Sequence, residues 1–79
     1  MKLKNAIAKR IKEIINNEGI SQYELFKRTG VPQSTISTIL NTEIKTVKMS
    51  TLYELCSGLE IELSDFFNCD YLKIENLED

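Results

Sequence analysis

The sequence predicts an all-α fold, a compact bundle of five short helices followed by a C-terminal extension. Three observations point there. Ile7, Ile11, Ile14 and Ile15 repeat at i, i+4, i+7 and i+8, which is one apolar face of a helix. The stretch "ISQYEL" carries a helix-start signature in Ser21 and Glu24. The third is size: with 79 residues the chain is one domain at most, near the lower end of what folds alone, so its core must be helix-efficient.

Helix 1 covers about residues 4 to 17, and Gly19 stops it as a residue able to take positive φ. Helix 2 opens with Ser21 and Glu24 as an S-x-x-E box, each side chain reaching the other's orphan backbone N–H, while Ile20 staples onto Leu25. It runs to about Arg28 and ends at Thr29 and Gly30. Pro32 stands at the first turn or cap of helix 3, about residues 33 to 40, where a missing N–H costs little. Two short helices about a tight glycine turn make a helix-turn-helix unit, with Leu25, Val31, Ile36 and Ile39 closing its core. A looser stretch, "NTEIKTVKM", follows. Ser50 is expected to cap helix 4, "TLYELCSGL", whose buried stripe is Leu52, Leu55, Cys56 and Leu59, with Gly58 a mild break. "ELSDFF" reads as helix 5, capped by Ser64, with Phe66 and Phe67 as one core anchor and one interface anchor. The domain is thus residues 1–68. Residues 69–79 form a tail whose Tyr71, Leu72, Ile74 and Leu77 pack on the domain or on a second subunit.

A hydrophobic content of 42% supports a globular chain. No apolar run approaches the ~18 residues that span a bilayer, and charges interrupt "MKLKNAIAKRIK", so no secretory signal is read there. The expected location is cytoplasmic, with no membrane partner. Histidine is absent, and Cys56 and Cys69 lack metal-ligand spacing. Cys56 falls on a helical apolar stripe and reads as a small buried hydrophobe. Cys69 reads as a free thiol or an interface residue, since a disulfide is not expected in a cytosolic chain. There is no Cys/His nucleophile arrangement and no glycine-rich phosphate loop; Glu60, Glu62 and Asp65 crowd the start of helix 5 as dipole partners. Neither an enzyme nor a cofactor or metal site is expected.

The net charge of −2 hides a division. Residues 1–48 hold nine basic and four acidic side chains, a balance of +5, whereas residues 49–79 hold one basic and eight acidic, a balance of −7. One half is suited to an anion and the other faces elsewhere.

The stretch "VPQSTISTIL" says which anion. Val31, Ile36, Ile39 and Leu40 share a buried stripe, while the outward side carries Gln33, Ser34, Ser37 and Thr38 and no charge. A helix that merely faces water favours long charged helix formers over Ser and Thr. A helix in the major groove of DNA needs short hydrogen-bonding groups instead: Gln pairs with adenine, Ser and Thr with several bases, and the Thr methyl meets that of thymine. Lys and Arg outside that face would neutralise phosphates.

"SQYELFKRTGVPQSTISTIL" is similar to the helix-turn-helix of phage repressor and Cro-type regulators, the XRE family. The similarity continues through "MSTLYELCSGLEIELSDFF" and covers about residues 5 to 67. The resemblance implies a five-helix, lambda-repressor-like domain that binds double-stranded operator DNA as a homodimer and regulates transcription, as a repressor. Gln33, Ser34 and Thr38 match the family's base-reading positions, and Ser37 lies beside them. Gln22 matches a glutamine that contacts phosphate and braces the recognition helix; Asn41 matches an asparagine near phosphate. Lys45 and Lys48 are the phosphate candidates of the following loop. The chain departs from the pattern at Thr42, where glycine is common and a β-branched residue resists positive φ, at Glu43, where a basic residue is frequent, and at Val47, where proline is frequent. A second reading stays open, an antitoxin-like or protein-interaction module whose acidic C-terminal half binds a partner protein.

Overall fold

The computed structural model describes residues 1–79. Five α-helices follow one another: α1 (Leu3–Glu18), α2 (Gln22–Thr29), α3 (Gln33–Leu40), α4 (Met49–Leu59) and α5 (Leu63–Phe67), then two single 3-10 turns at Asp70–Leu72 and Ile74–Asn76. There is no strand. α2 packs on α4, α3 on both α1 and α2, α5 on α4, and the first 3-10 turn on α1.

The stripes meet as their periodicity requires. Ala6, Ile7, Ile11, Ile14 and Ile15 of α1 join Leu25, Val31, Ile36, Ile39, Leu40, Leu52, Leu55, Cys56 and Leu59 in one core, with Phe66 at its base and Leu72 of the tail closing it. No polar or charged residue is buried with them, so the core rests on area removed from water, roughly 25 cal/mol per Å² of apolar surface. Phe66 is wholly inside and Phe67 half-buried, their rings 5.1 Å apart and edge to face.

Three helices end alike. After α1, Gly19 (φ 67°) donates to the Asn16 carbonyl at 3.2 Å and Ile20 to that of Ile15 at 3.0 Å. After α4 the same pair of bonds is made around Glu60 (φ 58°), from Glu60 to Ser57 and from Ile61 to Cys56. After α3 it is made around Thr42 (φ 57°), from Thr42 to Ile39 and from Glu43 to Thr38. Each is a Schellman closure that satisfies the last carbonyls. Thr42 therefore adopts the left-handed conformation that its branched side chain opposes. Two new carbonyl bonds outweigh that cost, and the Thr42 hydroxyl adds a third at 2.6 Å to the Asn41 carbonyl.

The helix starts differ from the sequence reading. Lys48 and Glu62, not Ser50 and Ser64, are the cap residues of α4 and α5, and neither gives a side-chain cap bond. Each helix begins two residues early because Met49 and Leu63 already take helical geometry; the serines lie within the first turn. Half of the α2 box forms. Ser21 accepts from the Glu24 N–H at 3.1 Å, but the Glu24 carboxylate turns to Arg28, 3.8 Å away, rather than back to the cap.

Gly58 is not a break. It lies inside α4 at its crossing with α2, where a Cβ would fall 2.5 Å from Thr29 Cγ2 and 2.7 Å from the Arg28 carbonyl oxygen. Only glycine lets the two backbones approach this closely.

Candidate nucleic-acid interface

α3 has its apolar side sealed and its polar side open. Ile36 and Ile39 are 1% exposed and Leu40 3%. At 3.6 residues per turn these three occupy an arc of roughly 100°, whereas Gln33, Ser34, Ser37, Thr38 and Asn41 span a separate arc of roughly 140°. Gln33, Ser34 and Asn41 are exposed; Ser37 and Thr38 are half-buried.

The side chains on it differ in what they have left to offer. Gln33 and Ser34 make no side-chain hydrogen bond, and α3 begins at Pro32 without a side-chain cap, so its first turn is free in both side chain and backbone. The Thr38 hydroxyl donates back to the Thr35 carbonyl at 2.9 Å, which spends its proton and leaves its oxygen lone pairs as acceptors. The Asn41 amide donates to the Ser37 hydroxyl at 3.2 Å. These two form one unit, in which the Ser37 proton and the Asn41 oxygen remain available.

Gln22, the first residue of α2, is exposed and makes no hydrogen bond to α3. Lys45 and Lys48 are exposed and have no carboxylate partner. Both line a groove of about 410 Å³ with Thr35 and Ile39 of α3 and Thr51 of α4. The loop thus brings its lysines alongside α3. Lys45 also borders a second groove with Leu3, Lys4 and Ile7 of α1.

Two basic residues of α1, Lys9 and Arg10, are employed differently. Lys9 lies 4.5 Å over the Tyr71 ring, and the Tyr71 hydroxyl donates to Glu13, so the tail is held along α1 by a cation–π contact and a charged hydrogen bond. Arg10 reaches the end of α5. These partnerships lie 55 or more residues apart, and no local pattern marks them.

Residues 10–74 match the family model of the Cro/C1-type HTH DNA-binding domain. The chain belongs to the Cro/C1-type family. No curated protein and no solved structure matches it in the other two comparisons. This Cro/C1-type domain is a DNA-binding regulator, and DNA is its partner. No helix is long and apolar enough to cross a membrane.

Proposed function

We propose that this Cro/C1-type protein is a sequence-specific repressor, acting in the cytoplasm as a homodimer and without catalytic activity. α3 enters the major groove; Gln33, Ser34, Ser37 and Thr38 read base edges. Gln22, Asn41, Lys45 and Lys48 contact phosphates and fix the register. The observation that supports this most is the uncharged polar arc of α3, exposed at Gln33, Ser34 and Asn41, behind a fully buried apolar stripe. Its Gln33 and Ser34 sit in the first turn, the part of a recognition helix closest to the bases. Selection of bound sites from a random duplex library tests the assignment. A palindromic motif with half-sites about one helical turn apart is expected, and recovery of no motif would contradict it.

A protein-interaction reading, of the antitoxin kind, draws support from the acidic half and from Ile74, which is 86% exposed on the tail. Leu72 belongs to the core, so a point change is cleaner than removing residues 69–79. Ile74→Asp should then abolish co-purification of a partner and leave self-association intact; loss of the dimer instead would make the tail a dimer element.

A further inference from the structure

Glu43 is the only acidic residue between Glu24 and Glu54, a span that holds α3 and both loop lysines. The left-handed turn at Thr42 folds the chain back beneath α3, where the Glu43 N–H donates to the Thr38 carbonyl at 2.9 Å and the Ile44 N–H to the same oxygen at 3.3 Å. The Glu43 backbone is thereby fixed at the C-terminal end of the helix. It is exposed and pairs with no cation, although Lys45 is two residues away. The position is unfavourable for a carboxylate twice over. A helix C-terminus already carries partial negative charge, and a duplex docked on α3 would place phosphates within a Debye length of roughly 8–10 Å. Nothing in the packing requires an acid there.

We propose that Glu43 is a specificity-determining residue that acts by repulsion, penalising complexes in which the DNA backbone lies against the end of α3. The inference rests on α3 being the groove-reading helix. On the correct site, base contacts and the lysines of the loop hold the phosphates in one register. On other sequences only phosphate contacts remain, the docking pose wanders, and the carboxylate meets phosphate more often. Discrimination between sites gains from a repulsive element as well as from attractive ones.

The test is a salt-dependent titration of the full chain, its Glu43→Gln variant and its Lys45→Ala variant against the selected duplex and a random-sequence duplex. Glu43→Gln should bind the random duplex about three- to tenfold more tightly, with a salt slope steeper by about 0.9. Its affinity for the selected duplex should rise less than twofold, so the specificity ratio falls. Equal gains on both duplexes, or no change on either, would overturn the proposal. So would a loss confined to one base pair, which would make Glu43 a base reader. If no motif is selected and Lys45→Ala leaves the salt slope unchanged, the groove-reading assignment fails and this proposal with it. If Lys45→Ala flattens the slope while Glu43→Gln does nothing, only the proposal fails.

Discussion

Arg10 of α1 donates from Nε to the Phe66 carbonyl at 2.7 Å and from Nη2 to the Asp65 carbonyl at 2.8 Å, with its guanidinium 6.0 Å from the Phe66 ring. A cation in α1 therefore satisfies the C-terminal carbonyls of α5, a helix of five residues that makes few bonds of its own. Two charge-assisted bonds on one planar fork are worth more than a surface ion pair. Arg10→Met should lower stability by about 1.5–3 kcal/mol in denaturant unfolding, and Arg10→Lys should recover little, because an ammonium lacks the fork. The salt slope of DNA binding should not move. A flatter slope with unchanged stability would instead place Arg10 on phosphate.

Gly58 gives a second prediction. Gly58→Ala adds a methyl where the Thr29 and Arg28 backbone leaves no room, and should cost about 1–3 kcal/mol despite alanine's better helix propensity. Unchanged or raised stability by thermal melting would mean that α2 and α4 separate easily.

Thr42 holds stored strain. A non-glycine residue in the left-handed region costs roughly 1–2 kcal/mol, of which glycine's greater freedom in the unfolded chain takes back about 0.4–1 kcal/mol. Thr42→Gly should raise stability by about 0.5–1 kcal/mol on this balance. A decrease would show that the Thr42 hydroxyl bond to Asn41 matters more than the backbone.

The two cysteines should differ in reactivity. Burial pushes the Cys56 thiol above its ordinary range, with Arg10 drawing it partly back, while Cys69 is half-buried in the tail. The thiolate is the nucleophile, so a buried neutral thiol reacts only when the domain opens. Alkylation near pH 8 should modify Cys69 first and Cys56 at a rate that tracks unfolding. The sign for stability follows. The contribution of the raised Cys56 is complete below the unfolded value of 9.0 and is lost as pH rises through the folded one. Loss of this alkaline decline should accompany Cys56→Ala.

Much of this architecture was legible because its signals are local. The isoleucine stripe of α1, Leu25 with Val31, Ile36 and Ile39, and the α4 stripe all name core residues by periodicity alone. Gly19 and Gly30 end their helices as glycine should. What escaped local reading depends on partners far along the chain. Arg10 resembles any solvated base until α5 is folded beside it, and Gly58 resembles a weak helix residue until α2 crosses it. Ser50 and Ser64 misled by two residues because a helix start is set by backbone geometry, and a hydroxyl nearby does not compel it. Thr42 and Glu60 show the same in reverse, taking left-handed turns that tertiary packing and closing carbonyl bonds make worthwhile. On α3, the sequence separated the polar arc from the buried stripe, but not that Thr38 spends its proton on Thr35 or that the Asn41 amide bonds Ser37.

The most direct measurement compares Gln33→Ala and Lys45→Ala across a panel of duplexes, each changed at one base pair of the selected site. Gln33→Ala is predicted to lose discrimination at one position by about 1–3 kcal/mol and leave the others intact. Lys45→Ala is predicted to weaken every duplex alike and flatten the salt dependence. Uniform losses from both substitutions, with no position singled out by Gln33, would contradict base reading by the exposed arc of α3.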